Sequence, residues 1–153
     1  MAYNLFKFLH VAGAIVWVGG VSTLMVFNAR LARSSAASAT QATLARTSGE
    51  LGRLVIGPAA LFTLLAGVGT AVIGGISLGS LWITWGFTGL FLSMGLAGTV
   101  IRRSATALEL ALSAPATPPA RVAALRGRLT GLNLLNLALL LSVVAAMVFK
   151  PTL

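Results

Sequence analysis

Four long apolar segments constrain this chain more than any other feature of its sequence. They cover about residues 5–27, 54–76, 81–101 and 129–149. Each is close to the roughly 20 residues that a helix needs to cross the hydrocarbon core of a bilayer. Lipid cannot satisfy the backbone of an open strand, so each segment is expected to be a helix. The sequence therefore predicts one all-α domain over residues 1–153, an integral membrane four-helix bundle.

The composition agrees with lipid as the solvent. Hydrophobic residues make up 58% of the chain and charged residues only 8%, with a mean hydropathy of +0.98. Soluble domains average about 25% charged residues, and so apolar a surface would associate in water. The chain has no cysteine, which excludes disulfides and cysteine-based zinc or iron–sulfur sites within it.

The net charge of +9 is concentrated in two of the connections. Nine arginines lie in the first and third connections, and the two lysines lie near the chain ends. The positive-inside rule places these connections in the cytoplasm and both termini on the non-cytoplasmic side. We therefore expect a multi-pass protein of the cell (inner) membrane. The arginines are not interleaved with aromatics on a soluble face, so a nucleic-acid partner is not expected.

The connections differ in their predicted structure. The first is expected to include a short surface helix near residues 39–52, and the fourth helix is expected to begin at Pro119 or Ala120, because proline suits a first helical turn. The Gly/Ser-rich connection at residues 74–80 predicts a tight hairpin between the second and third spans. Glycines in these two spans predict close packing within that hairpin: Gly67, Gly74, Gly86, Gly89, Gly95 and Gly98.

A few polar residues outside the first span have a predicted partner. Asn133 and Asn136 are three residues apart in the fourth span, and we expect them to form interhelical hydrogen bonds. The only two acids, Glu50 and Glu109, stand among arginines and are expected to pair with them.

The one histidine, His10, lies inside the first apolar segment. A titratable side chain within a membrane costs free energy unless something binds it, so it marks a candidate functional site. Counting from Leu5 at a rise of 1.5 Å per residue, His10 is expected about 8 Å into the non-cytoplasmic leaflet.

Small residues and one tryptophan share a helical face with the histidine. His10, Gly13, Trp17 and Gly20 fall along one stripe at a period of 3.6 residues. Trp17 is expected near mid-membrane, whereas tryptophan normally prefers the interface. The stripe is therefore expected to face protein or a cofactor rather than lipid. It is open to two interpretations, helix packing through small residues or a pocket for a planar cofactor beside His10.

Three kinds of interaction suit the imidazole of His10. It could hydrogen-bond to another helix, bind haem iron as in haem b, or bind copper with a methionine thioether. Met25 is about 22 Å away along the same helix, which weakens the copper interpretation. A zinc site lacks a second histidine or a cysteine. Bis-histidine haem ligation would require a homodimer, because each chain has one histidine.

Several activities have no support in the pattern. The predicted spans contain no deep Asp, Glu, Lys or Arg, which proton-coupled carriers and cation pores usually need. The chain has neither a glycine-rich phosphate loop nor paired carboxylates for acid–base catalysis. The residues thus leave enzymatic activity open.

The first span resembles a pattern found in several bacterial membrane families. The resemblance lies in the run from Phe8 to Gly20, where a histidine precedes a tryptophan and glycines, and it extends to the Arg53-led second helix and to Trp82-Ile-Thr-Trp85 in the third. These families are the copper-resistance protein D-like group, a related family of small predicted integral membrane proteins of unknown function and, more distantly, the haem-dependent membrane protoporphyrinogen oxidases. The resemblance implies that His10 is a haem or metal ligand.

Three functions follow as hypotheses. The first is a redox or haem-handling membrane protein in which His10 binds the iron, with Gly13, Trp17 and Gly20 lining the cofactor site. The second is a non-enzymatic membrane scaffold or subunit in which His10 and Trp17 only pack helices. Copper transport comes last. In each case the partners are the lipid bilayer and, as a further expectation, a second copy of the chain or a larger membrane complex.

Overall fold

The computed structural model describes residues 1–33, 37–114 and 116–151. Six α-helices follow one another along the chain: α1 (Ala2–Ala32), α2 (Ser38–Leu51), α3 (Gly57–Ile73), α4 (Leu81–Leu96), α5 (Arg102–Ser113) and α6 (Pro119–Phe149). Two π-helical turns, Gly52–Ile56 and Ala97–Ile101, join α2 to α3 and α4 to α5 without a break. The described residues contain no strand.

The six helices form four continuous rods that are long and apolar enough to cross a membrane. They are α1, the α2–α3 rod (Ser38–Ile73), the α4–α5 rod (Leu81–Ser113) and α6. The all-α fold with four membrane helices is confirmed. The surface helix predicted near residues 39–52 is α2, and α6 begins at Pro119 as expected. The rods are longer than the predicted spans because more polar segments continue the apolar helices. These segments are α2, α5 and the first part of α6.

The second rod ends earlier than the predicted span at residue 76. Its last helical residue is Ile73, and Gly75 adopts a left-handed backbone with φ of 61°. A glycine has no Cβ to oppose this conformation, so the chain can turn there. The turn leads directly to α4 at Leu81.

The π-helical turn before α3 lies next to a proline. The backbone N–H of Gly57 donates to the carbonyl of Gly52, five residues earlier, and Pro58 follows. Proline lacks an N–H, and its ring clashes with the carbonyl four residues back in a regular α-helix. The wider π-helical turn accommodates this proline within a continuous rod.

The helices pack in two tiers with separate cores. The membrane tier is formed by α1, α3, α4 and the second half of α6, and each contributes one residue to its core: Trp17, Ala60, Leu90 and Leu140. The basic tier is formed by α2, α5 and the first half of α6 around Ala42, Leu108, Leu112 and Leu129. Large apolar side chains cover the outside of the membrane tier, where lipid would contact them; they include Phe8, Ile15, Leu65 and Phe91.

Within the membrane tier, α3 packs chiefly on α1, and α4 packs chiefly on α6. The prediction that the glycines pack α3 against α4 is therefore wrong. Gly67 faces α1, Gly86 and Gly89 face α6, and a Cβ added at Gly95 or Gly98 would meet nothing within 4 Å. The hairpin connection is tight, but Gly67, Gly86 and Gly89 pack their helices against partners outside the hairpin.

Candidate functional site at the His10 contact between α1 and α3

The imidazole of His10 forms a hydrogen bond from α1 to the backbone of α3. Its Nδ1 atom lies 2.8 Å from the carbonyl oxygen of Thr63. A carbonyl oxygen can only accept, so Nδ1 carries the proton and donates it. The hydroxyl of Thr63 is engaged elsewhere, because it donates to the carbonyl of Ala59 in its own helix at 2.8 Å.

A glycine one turn further along α3 makes room for this ring. A Cβ atom at Gly67 would lie 2.8 Å from Nδ1 and 2.9 Å from Cε1 of His10. Those separations are shorter than carbon and nitrogen atoms tolerate without a bond between them. The absence of a side chain at Gly67 therefore allows the imidazole to rest on α3 and reach the Thr63 carbonyl.

The two glycines of the predicted stripe also face the α2–α3 rod. A Cβ at Gly13 would lie 2.6 Å from the hydroxyl oxygen of Thr63, and one at Gly20 would lie 2.9 Å from Cγ1 of Ile56. Trp17 is 6% exposed and belongs to the core of the membrane tier. The structure thus places His10, Gly13 and Gly20 along the contact of α1 with the α2–α3 rod, and it buries Trp17 in the core between the helices. A planar ligand resting on Gly13 and Gly20 would have to displace the α2–α3 rod.

The hydrogen bond of Nδ1 determines whether the other ring nitrogen, Nε2, can act as an acceptor or a metal ligand. In the neutral imidazole, Nε2 is then the atom with a free lone pair. Metal-bound histidines usually donate their second ring nitrogen to a carboxylate or a backbone carbonyl, which fixes the ring and its tautomer. His10 is half-buried and has this arrangement with Thr63.

The donor set limits which metal centres fit. The described residues contain no group of three or more His, Cys, Asp or Glu side chains that could hold a metal ion. A metal held by three or four such side chains of one chain therefore does not fit at His10. A haem iron does fit by this criterion, because the macrocycle supplies the equatorial donors and the protein needs to add only an axial ligand.

Two further polar contacts join α4 to α6. Ser93, 1% exposed, donates its hydroxyl hydrogen to Oδ1 of Asn136, 2% exposed, at 2.7 Å. This confirms the interhelical hydrogen bond expected for Asn136. Nearer the start of α4, the indole N–H of Trp85 donates to the hydroxyl oxygen of Ser142 at 3.2 Å.

The two acids behave differently. Arg46 and Glu50 form an exposed ion pair of 3.1 Å on α2, as expected. Among the residues that the structure describes, Glu109 has no ion pair within 4 Å, so its predicted pairing is wrong. Glu109 lies on α5 along a groove at the surface of the basic tier.

Thr63 and Gly67 are the site residues that sequence reasoning missed. Their spacing of four residues places them on one face of α3, and this much is visible in the sequence. Other pairs of small residues in the chain have the same spacing. Only the register of α1 against α3, set by packing, identifies the pair that faces His10.

One family model matches nearly the whole chain. It is described as "Predicted integral membrane protein (DUF2269)" and covers residues 4–151. Comparison with curated proteins and with solved structures gives no match. The four apolar rods and this match agree on a multi-pass membrane protein. The chain belongs to the DUF2269 family of predicted integral membrane proteins.

Proposed function

We propose that the protein binds haem within the membrane, with Nε2 of His10 as an axial ligand of the iron. The observation that supports this most directly is the bond from Nδ1 to the Thr63 carbonyl. It fixes the ring, selects the tautomer with a lone pair on Nε2, and increases the basicity of that nitrogen toward a metal. The more distant resemblance of the first helix to the haem-dependent membrane protoporphyrinogen oxidases agrees with this proposal, whereas its resemblance to the copper-resistance protein D-like group agrees with the copper hypothesis.

The residues of the chain have separate tasks in this proposal. His10 holds the iron, Thr63 orients the imidazole through its carbonyl, and Gly67 leaves space for the ring. Bound haem would supply electron transfer or binding of a small ligand at its iron. Because the α2–α3 rod contacts Gly13 and Gly20 and because Trp17 is buried in the core, haem would have to reach Nε2 of His10 without resting on these three residues.

The second axial position cannot be filled by another histidine of the same chain. A second copy, another subunit, a different side chain or a small molecule must occupy it, or the iron has an open position. A homodimer with one His10 from each copy gives bis-histidine ligation with the residues that the chain has. The spectrum of the iron distinguishes these cases.

The visible absorption spectrum of the purified protein tests the proposal. The full chain is produced with added haem precursor, and we expect a Soret band that is lost in His10→Ala. Asn4→Ala is the matched control, because Asn4 is an exposed polar residue of α1 and its loss should leave the band unchanged. A wild-type protein that stays colourless despite adequate haem would overturn the proposal.

A non-enzymatic subunit without a cofactor is the second candidate. The observation that favours it is the close contact of Gly13 and Gly20 with the α2–α3 rod, which small-residue packing explains by itself. In that case His10→Ala lowers the thermal stability and the wild type has no Soret band.

Copper analysis of the same samples tests the copper hypothesis, which predicts bound copper that His10→Ala removes.

A further inference from the structure

Arg126 of α6 is a half-buried cation where the two tiers meet. Its Nη1 atom donates to the carbonyl of Ala32 at the end of α1, at 3.2 Å, and its Nη2 atom donates to Oε1 of Gln41 on α2. These bonds tie α1, α2 and α6 together. Both acceptors are neutral oxygens, so neither one cancels the charge of the guanidinium.

Within the part of the chain that the structure describes, Arg126 has no ion pair within 4 Å, and Glu109 lines the same surface groove without reaching it at that distance. Arg46 and Glu50 form the one ion pair within 4 Å there, and Arg126 takes no part in it. A charge that is partly removed from water loses solvation, which an opposite charge nearby restores. A guanidinium has five N–H donors, and the two bonds to protein leave donors for a further acceptor.

A small, partly open cavity lies beside Arg126. Its polar lining comes from Asn28 on α1 and from Thr130 and Asn133 on α6. Its apolar lining comes from both tiers and includes Met25, Leu108, Leu112 and Leu129. The cavity therefore offers a cation and uncharged hydrogen-bonding groups at one place, next to hydrocarbon walls.

The position of the cavity matches the depth of lipid headgroups. Asn28 follows the first predicted span, which ends at about residue 27, and Thr130 lies at the start of the fourth, which begins at about residue 129. Arg30 and Arg128 are exposed on the same two helices near this level. Basic residues at the membrane surface attract anionic lipids.

We propose that this cavity binds the phosphate of an anionic phospholipid. The guanidinium of Arg126 binds the phosphate oxygens, Asn28 and Thr130 contribute uncharged hydrogen bonds, and the apolar walls contact the beginning of an acyl chain. Arginine suits this task because its planar N–H groups match two oxygens of one phosphate. A free phosphate has the same anionic chemistry, but it would not use the apolar walls. This site is separate from the proposed haem site at His10.

Lipid titration of the detergent-solubilised full chain, followed by native mass spectrometry, tests the proposal. The probes are phosphatidylglycerol, phosphatidylcholine and inorganic phosphate. We expect Arg126→Gln to weaken phosphatidylglycerol binding about tenfold, as for the loss of one strong charge-assisted contact. Arg121→Gln is the matched control, because Arg121 is exposed on the same helix and does not line the cavity. Arg121→Gln removes the same charge without touching the cavity. We expect it to change the affinity for phosphatidylglycerol less than about twofold, through long-range electrostatic attraction alone.

A second variant keeps the test valid if Arg126→Gln fails to fold. Asn28→Leu fills the cavity and leaves the two bonds of Arg126 to Ala32 and Gln41 in place, with folding checked by circular dichroism. We expect it to lose phosphatidylglycerol binding as well. Equal binding by Asn28→Leu, Arg121→Gln and the wild type would overturn the proposal. Tighter binding of inorganic phosphate than of phosphatidylglycerol would also overturn it, because the source would then not be a lipid.

Discussion

The imidazole of His10 and the backbone carbonyl of Thr63 are joined by a hydrogen bond of 2.8 Å between α1 and α3. In a membrane such a bond has little competition from water, although measured interhelical bonds there average only about 0.6 kcal/mol. The modest stabilisation does not require a histidine, because other polar side chains can bridge two helices. What the imidazole adds is a second ring nitrogen, Nε2. The bond from Nδ1 to the Thr63 carbonyl leaves a lone pair on Nε2 in the neutral ring.

Gly67→Ala should displace the imidazole of His10. The new Cβ would lie 2.8 Å from Nδ1, so the ring or the helix must shift. Overpacking of this kind costs about 1–3 kcal/mol of unfolding free energy. Thermal unfolding in detergent measures the loss of stability, and a weakened Soret band would report the displaced ligand.

Gly95→Ala is the matched control for that experiment. Gly95 also lies inside a membrane helix, but a Cβ there would meet nothing within 4 Å. Alanine is the better helix former, by about 1 kcal/mol. The thermal stability of Gly95→Ala should therefore equal or exceed that of the wild type. If Gly67→Ala is as stable as Gly95→Ala, the ring of His10 is not held as described.

The architecture could be predicted from the sequence much further than the site. Four apolar runs predict the number and the approximate positions of the membrane helices, and Pro119 marks the start of α6. The partner of each helix could not be predicted. Apolar residues surround α3 on all sides, so no face of this helix is distinguished from the others as the one that contacts a neighbouring helix. Gly67 was assigned to the α3–α4 contact for this reason, while its neighbour is His10 of α1.

The site shows the same limit at the level of single residues. His10 is conspicuous because it is the one titratable side chain well inside a predicted span. Its partner is a backbone carbonyl, which every residue has, so no side-chain pattern indicates it. Asn136 was predicted to bond across helices, but its partner Ser93 is one of many hydroxyl residues. The sequence indicates which residues can form polar contacts within the membrane, but only the packed structure shows which partner each of them contacts.

Gly89→Ala should be more destabilising than Gly86→Ala, although both glycines face α6. A Cβ at Gly89 would collide with Cγ2 of Val143, and one at Gly86 would collide with the terminal methyl of Met147. Valine is stiff at χ1, while methionine is flexible and adapts to irregular space. Unfolding of the two variants under identical conditions checks the order. A larger loss at Gly86 would contradict this packing of α4 on α6.

The buried bond between Ser93 and Asn136 should show coupling in a double-mutant cycle. Both residues are almost fully buried, so truncating one leaves the other with an unsatisfied polar group. We expect Ser93→Ala and Asn136→Leu each to lower stability, and the double variant to lose less than the sum. Double-mutant cycles of interhelical bonds in membranes give couplings of about 0.6 kcal/mol on average and up to about 1.7 kcal/mol. Strict additivity would show that the two side chains do not interact.

The distribution of arginines makes a prediction about orientation in the membrane. Arg53 lies in the first π-helical turn and Arg102 directly follows the second, so the basic tier begins where the arginines begin. Lys7 and Lys150 stand near the opposite end of the membrane helices. Positively charged segments are retained in the cytoplasm. The basic tier is therefore expected to be cytoplasmic, with both termini outside.

Labelling of engineered cysteines in intact cells checks this orientation without background, because the chain has no cysteine of its own. Ala2→Cys, exposed at the start of α1, should react with a membrane-impermeant maleimide before lysis. Ser113→Cys, exposed at the end of α5 in the basic tier, should react only after lysis. The reverse pattern would place the basic tier outside, and His10 would then lie in the cytoplasmic leaflet. That outcome would move the proposed haem site to the other side of the membrane, since His10 lies near the start of α1 and the end of α1, at Ala32, contacts Arg126 of the basic tier.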